Sequence, residues 1–125
     1  MEVISTDGAP RAIGPYSQAI KVGDWVYTSG QVGLVPATGE LVSPDFAVQI
    51  KQTFENLKAV LAAAGMTFSN VVKATVFITD MRNFDTLNGI YASYMGDHKP
   101  ARTTVAVPGL PKLALVEIDF VATKR

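Results

Sequence analysis

The chain has 125 residues, 48% of them hydrophobic and 18% charged, and it contains no cysteine. This length predicts one domain over 1–125 with its own core, and the low charged fraction favours a homo-oligomer with apolar interfaces, although a neutral monomer also fits. Eleven basic and eleven acidic residues without a basic run argue against a nucleic-acid partner, and the missing cysteines exclude disulfides, thiolate nucleophiles and zinc–thiolate sites.

The first half of the chain predicts a β-hairpin followed by a helix. The β-prone runs Gln18–Val22 and Trp25–Thr28 are separated by Gly-Asp, a dipeptide typical of a tight hairpin turn. A helix is predicted from Ser43 to about Ala64, because Ser43 can cap it, Pro44 suits its first position and a glycine follows its end. Apolar residues at helical spacing predict one buried stripe, formed by Ile50, Phe54, Leu57, Leu61 and Ala64.

The second half predicts three strands and one more helix. A strand is expected over Val71–Thr79, a helix from about Asn83 to Tyr94, and strands over Ala101–Val107 and Leu113–Ala122. Alternation in the first of these strands predicts one face with Val72, Ala74, Val76 and Ile78, and an opposite face with Lys73, Thr75, Phe77 and Thr79.

Two helices are too few to cover both faces of such a sheet. We therefore expect an α+β sandwich, a mixed β-sheet with two helices packed on one face, and we expect subunit contacts to cover the other face.

Two charged residues in strand patterns are candidates for chemistry. Arg102 follows Pro100-Ala101 and precedes small and apolar residues, so it is either a structural or exposed charge or a clamp that binds a carboxylate with two parallel hydrogen bonds. Glu117 lies in an alternating run, and it is either a solvated side chain, a partner for Arg102, or a carboxylate that orients or deprotonates water.

Other polar residues offer weaker signals. Tyr16 follows Gly14-Pro15, a turn that presents its ring at a defined place, although a packed aromatic residue explains it equally well. The single histidine, His98, is expected at the surface, and a Ser-His-Asp triad is not expected. We expect no metal, because no acidic cluster is visible, and no prosthetic group. The start lacks the pattern of a signal peptide and no run reaches the length of a membrane span, so a soluble cytoplasmic protein is expected.

Five segments together resemble the Rid (YjgF) family over essentially the whole chain. They are, in order, Ile13–Ala19 (IGPYSQA), Thr28–Gln31 (TSGQ), Lys73–Phe77 (KATVF), Pro100–Arg102 (PAR) and Val116–Ile118 (VEI). Each is weak alone, and the last two at their spacing are the most specific. The resemblance implies a chorismate-mutase-like α+β fold and a homotrimer with clefts between its subunits.

The resemblance also implies an activity that needs no cofactor. Members hydrolytically deaminate 2-imino acids and their enamine tautomers, such as 2-aminoacrylate and 2-aminocrotonate, which pyridoxal-phosphate-dependent dehydratases release. By the same resemblance Arg102 binds the substrate carboxylate, and Glu117 positions a water for attack on the imine carbon.

The remaining site residues follow from the same resemblance. Tyr16 is expected to wall the planar substrate, and backbone groups near Ser29 and Gly30 and at Thr104 are expected to contact the amine end or the water. Many members carry cysteine where this chain has Thr104. If the residue acts through its backbone, this chain keeps the function; if it acts through a thiol, this chain lacks it.

Three alternatives stay open. A binding module or chaperone-like protein of the same fold would use the clefts without turnover, and it predicts that Arg102→Ala leaves function intact. An RNA-directed activity is disfavoured by the zero net charge and the single histidine. In the third alternative, the cleft of the same fold binds another small carboxylate, such as a pathway-specific enamine.

Overall fold

The backbone forms one mixed sheet and two helices, as the sequence predicted. The computed structural model describes residues 1–125 and contains helices α1 (Phe46–Ala63) and α2 (Phe84–Met95) and strands β1 (Glu2–Ile4), β2 (Ala19–Val22), β3 (Trp25–Thr28), β4 (Val71–Ile78), β5 (Ala101–Ala106) and β6 (Val116–Thr123). The strands lie in the order β1-β2-β3-β6-β4-β5. Only β4 and β5, which α2 connects, pair in parallel, so β5 is an open edge beside an otherwise antiparallel sheet.

One face of the sheet is buried beneath both helices. Alternating residues of β4 and β6, such as Val76 and Ile118, share a continuous core with Phe54 and Leu57 of α1 and Leu87 of α2. The helices pack there because each carries an apolar stripe at helical spacing, and burying a leucine-sized side chain contributes about 1.5–3 kcal/mol.

The opposite face of the sheet is uncovered and partly apolar. Trp25 and Tyr27 of β3 are 42% and 49% exposed, and further exposed apolar side chains on this face are Val3, Val22 and Val105. Val3, Val22, Trp25 and Tyr27 lie on neighbouring strands, and several large apolar side chains exposed together are unusual on a monomer. These exposed apolar side chains are a reason to expect that another subunit covers this face, and that expectation stays a prediction.

Several boundaries differ from those predicted. The three-residue edge strand β1 was not predicted at all. The helix α1 is capped by Asp45, whose carboxylate accepts from Val48 N at 3.1 Å, and not by Ser43, whose hydroxyl accepts from Asp45 N. The last strand begins at Val116 and not at Leu113, because the residues before it form a 3₁₀ turn with left-handed backbone, which cannot continue a strand.

Two further expectations were wrong: that Val72 shares a strand face with Ala74, and that His98 lies at the surface. A β-bulge at Val72 shifts the register between Val71 and Lys73, so that Val71 is buried while Val72 is 38% exposed. His98 is half-buried, with Nε2 lying 2.6 Å from the carbonyl oxygen of Val71, so it fastens the α2–β5 loop to the start of β4. Neither helix is both long enough and apolar enough to span a lipid bilayer.

Candidate active site

A small cavity of about 70 Å³ forms around Glu117, on the sheet face turned away from the helices. Tyr16 and Gly30 line it together with Glu117, and we call it the Glu117 cavity. One water molecule occupies roughly 30 Å³ in the liquid, so this space holds about two waters, or one end of a small substrate. Three of the residues predicted for the site therefore meet in one chain.

Buried amides hold the walls of this cavity, and the sequence did not reveal them. Gln18 is 4% exposed and donates to the carbonyl oxygens of Thr6 and Pro10, which fixes the N-terminal segment over the cavity. Asn56 of α1 donates to the carbonyl oxygens of Val32 and Leu34, which fixes the opposite wall. A buried Gln or Asn among apolar neighbours was the available signal, because such a side chain must find hydrogen-bond partners.

The environment of Glu117 favours its protonated form more than water does. Burial raises the pKa of the Glu117 carboxyl, and the neighbouring charge of Asp119, two residues along the same face of β6, raises it further. Burial also raises the pKa of Asp119, while the hydroxyl of Thr75 opposite it acts in the other direction. A carboxyl whose pKa is raised towards neutrality is suited to exchange a proton with water or with an amine.

Replacing Asp119 with asparagine is expected to extend activity to lower pH. The charge of Asp119 contributes to the raised pKa of Glu117, so its removal lowers that pKa and keeps Glu117 ionised in more acidic solution. The pH profile of kcat/KM for the imine hydrolysis that the family resemblance implies measures this as a shift of its acid limb. The matched control is Glu2→Gln on the distant strand β1, which should leave the limb in place. An acid limb that does not move in Asp119→Asn would contradict this coupling.

Replacing Gly30 with alanine is expected to reduce activity about tenfold to a hundredfold while the fold survives. A Cβ on Gly30 would lie 2.7 Å from Cδ of Glu117, so the carboxylate must move. The end of a flexible side chain can move at a cost of about 1 kcal/mol, whereas the misplaced carboxylate loses its alignment. Thermal unfolding and kcat/KM separate the two effects. Gly89→Ala is the control: it has free space, lies inside α2, and should stabilise by about 0.5–1 kcal/mol without loss of activity.

Arg102 lies on β5 beneath α2, in a setting that orients its guanidinium. Nη2 donates to Oδ1 of Asn88 at 2.7 Å, and Cζ lies 4.8 Å from the ring centroid of Tyr91 and 5.7 Å from that of Phe84. No carboxylate pairs with it, since the chain's ion pairs within 4.0 Å are Asp80–Arg82 and Asp24–Arg125. Arg102 is thus held by an amide and two rings, and its charge is available to an anion.

Thr104 lies two residues from Arg102 on the same face of β5. Its hydroxyl oxygen is buried without a hydrogen-bond partner, as is the hydroxyl of Tyr91. Val107 donates its N–H to Ile78 O on β4, and because successive residues of a strand alternate in direction, the N–H groups of Arg102 and Thr104 face the open edge. A backbone contact from Thr104 to a ligand is therefore compatible with the strand's geometry.

Arg102 and Glu117 do not meet within one chain. In the sheet register, Arg102 lies opposite Ala74 and Glu117 lies opposite Phe77, two positions of β4 that are three residues apart. Because side chains alternate along a strand, an odd separation places them on opposite faces. The alternative that Glu117 is an intramolecular ion-pair partner of Arg102 is therefore wrong. The Arg102 side of the predicted site and the Glu117 side are separate in a single subunit.

Ser29 supports the Glu117 cavity from outside its lining. Its hydroxyl donates to the carbonyl oxygen of Ser17 and its N–H donates to the carbonyl oxygen of Gln18 at 2.9 Å. These bonds fix the chain just before Gly30. They occupy both hydrogen-bond donors of Ser29, so any contact from Ser29 to a substrate must use its carbonyl or hydroxyl oxygen as an acceptor. No three His, Asp or Glu side chains converge anywhere in the chain as a metal site would require.

Comparisons with known proteins find relatives over nearly the whole chain. The family model described as Endoribonuclease L-PSP matches residues 6–124. A 2-iminobutanoate/2-iminopropanoate deaminase of Mus musculus is 48% identical over 123 residues, which covers 98% of this chain and 91% of that protein. The crystal structure of RidA from an Antarctic Psychrobacter is 45% identical with a TM-score of 0.95, covering 98% of this chain and 99% of that one. Escherichia coli TdcF with bound serine is 40% identical with a TM-score of 0.95, and both chains are fully covered.

Proposed function

Because the chain belongs to the Endoribonuclease L-PSP family, also called the YjgF/Rid family, we propose that it is a hydrolase that deaminates reactive 2-imino acids. The substrates would be small 2-imino acids and their enamine tautomers, such as 2-aminoacrylate and 2-aminocrotonate, and the products a 2-oxo acid and ammonia. The curated relatives that carry a deaminase name support this reaction. The observation that carries it is a half-buried carboxyl with a raised pKa beside a water-sized cavity, at Glu117.

In the proposed mechanism the imine carbon is attacked by water. Glu117 accepts a proton from that water while the water oxygen bonds to the imine carbon. The C=N double bond becomes a single bond in the same step. The nitrogen takes up this proton from Glu117, which gives a carbinolamine. Glu117 then accepts the hydroxyl proton and passes it to the same nitrogen, so that the C–N bond breaks, ammonia leaves and the hydroxyl oxygen becomes the C=O of the oxo acid. Arg102 binds the carboxylate throughout, and Tyr16 confines the planar substrate so that water and imine are held together. No step requires a cofactor.

We propose further that each site is shared between subunits of a homotrimer. A three-carbon substrate cannot reach both Arg102 and Glu117 of one chain, because they lie on opposite sheet faces with β4 between them. The open edge of β5, which carries Arg102 and Thr104, would meet the Glu117 cavity of a neighbouring subunit. On this arrangement Tyr16 and Glu117 come from one subunit and Arg102 from the other, and the uncovered apolar sheet face is buried in the same assembly.

Mixing two inactive variants tests this sharing. Arg102→Ala and Glu117→Gln are unfolded together in equal amounts and refolded, and hydrolysis of 2-aminoacrylate generated from serine by a dehydratase is measured. In a ring of shared sites, about a quarter of the clefts receive an intact Arg102 from one variant and an intact Glu117 from the other. Activity near a quarter of the wild-type value is expected. No recovery in a mixture that elutes as an oligomer would contradict the shared site.

Two other activities are distinguished by the same protein samples. The family description names an endoribonuclease, yet the chain has zero net charge and its one histidine is engaged with a backbone carbonyl. Cleavage of RNA that survives Glu117→Gln, without any imine hydrolysis, would favour that reading. A non-catalytic or chaperone-like role would leave imine decay unchanged by the wild-type protein. We propose that the protein acts in the cytoplasm. Its substrates there would be released by pyridoxal-phosphate-dependent dehydratases.

A further inference from the structure

Two cations that the proposed mechanism does not use line the Glu117 cavity. Arg11 and Lys112 both contribute to its wall. Both are exposed residues, and neither forms an ion pair with Glu117 or with any other carboxylate within 4.0 Å. Their charges are therefore available at the mouth of the site.

The same two cations also line a larger cavity next to it. This second cavity has a volume of about 410 Å³, and the loop 36–40 lines it as well. It shares with the Glu117 cavity the residues Pro10, Arg11, Ile13, Leu34 and Lys112. Arg11 and Lys112 are thus common to the walls of both cavities, where a substrate side chain extending from one towards the other would pass them.

The backbone around Lys112 is held in an uncommon conformation. Lys112 has φ 61° and ψ 22°, and Leu113 has φ 59°, although neither is glycine. The left-handed region is costly for residues with a Cβ, and such conformations cluster at ligand-binding positions. Here the turn interrupts the approach to β6 and leaves Lys112 in the walls of both cavities.

We propose that Arg11 and Lys112 bind a second carboxylate, at the end of the substrate side chain, so that 2-imino dicarboxylates are substrates of this protein. The inference rests on the proposed imine hydrolysis and adds a substrate class to it. The reacting end is unchanged: water adds to the imine carbon, ammonia leaves, and the product is a 2-oxo dicarboxylate. The second cavity accommodates the additional carboxymethyl group, and the guanidinium of Arg11 can bind its carboxylate with two hydrogen bonds.

One acidic residue opposes this charge. Glu40 lines the second cavity from the loop opposite Arg11 and Lys112, so the cavity carries two cations and one anion. The surplus is positive, which favours an anionic side chain over a cationic one. Glu40→Gln should therefore strengthen the preference for a dicarboxylate, and an imine with a cationic side chain serves as the opposite probe.

The test compares two imines that differ in charge and little in shape. An amino-acid oxidase generates the 2-imino acids of aspartate and asparagine in the assay, and kcat/KM is measured from the decay of the imine in the presence of a trapping amine. The wild-type protein is expected to prefer the aspartate imine by about tenfold, the effect of one charge-assisted hydrogen bond. The double variant Arg11→Ala/Lys112→Ala should lower this ratio about tenfold while activity on the alanine and asparagine imines stays within about twofold. The control Lys58→Ala, an exposed cation of α1, should leave the ratio unchanged.

The outcomes separate this inference from the function on which it rests. Alanine imine hydrolysis with equal rates for the aspartate and asparagine imines would overturn the second-carboxylate site and leave the deaminase intact. Equal losses on all imines in the double variant would show that Arg11 and Lys112 bind the common carboxylate, which also overturns it. A preference for the imine of ornithine would assign the cavity to cationic side chains. Failure to hydrolyse any imine, from a folded wild-type protein, would remove the proposed function itself.

Discussion

Substitution of Arg102 by alanine is expected to lower kcat/KM for imine hydrolysis by about 10²- to 10³-fold. Removing one partner of a desolvated charge pair costs about 2–5 kcal/mol, and each 1.4 kcal/mol corresponds to a tenfold change. The guanidinium of Arg102 is oriented before any ligand arrives, by Asn88 on one side and the ring of Tyr91 on another. The loss is therefore one of binding an anion in a defined place, and it should appear with every 2-imino acid tested.

The conservative variant Arg102→Lys shows whether geometry or charge matters more. Lysine keeps the positive charge but loses the planar fork that matches a carboxylate and stacks on the ring, so we expect most of the loss to remain. The matched control is Arg82→Ala, which removes an exposed arginine paired only with Asp80 and should keep full activity. Full activity of Arg102→Ala would instead support a protein that uses its surface without turnover.

The correctly predicted elements are those whose structure follows from the spacing of apolar residues within the element itself. Alternation placed Glu117 on the face of β6 opposite Val116 and Ile118, and the helical stripe of α1 with Phe54 and Leu57 is buried as expected. The errors fall where a distant part of the chain decides. The strand β1 has only three residues and exists because β2 offers it an edge, and the inward position of Val71 depends on a bulge set by β6.

The arrangement of the candidate site could not be predicted for the same reason. A motif gives residue types such as Arg102 and Glu117, but the face on which each lies depends on the register of both strands against β4. An amide among apolar neighbours marks Gln18 and Asn56 as side chains that need partners, but it does not identify those partners, which lie 8 to 24 residues away. These long-range hydrogen bonds follow from the packing of the folded chain.

Substitution of Glu117 by glutamine is expected to lower kcat by about 10²- to 10⁴-fold with little change in KM. A glutamine amide occupies the same space and can still hydrogen-bond to a water, but it cannot accept the proton that the attack releases. The magnitude is that of a lost general base. Single-turnover hydrolysis of 2-aminoacrylate measures it, and Glu2→Gln on the distant strand β1 provides the control, which should keep full activity. An active Glu117→Gln protein would contradict the role of Glu117 in moving a proton.

Glu117→Gln should lose activity without losing stability, because the ionised carboxylate that the reaction needs is disfavoured by the fold. Its pKa is raised in the folded chain by burial and by Asp119, so folding favours the protonated carboxyl. The stability that this protonation contributes is present below the unfolded pKa and is lost as the pH rises through the folded pKa. At neutral pH the wild-type protein therefore holds a carboxylate whose ionised form the fold disfavours, and glutamine removes that cost. Urea unfolding at pH 7 should find Glu117→Gln at least as stable as the wild type, with its relative advantage shrinking as the pH falls. A clear loss of stability in Glu117→Gln at pH 7 would mean that the ionised carboxylate stabilises the folded chain. Its presence beside the cavity would then be no argument for a catalytic role.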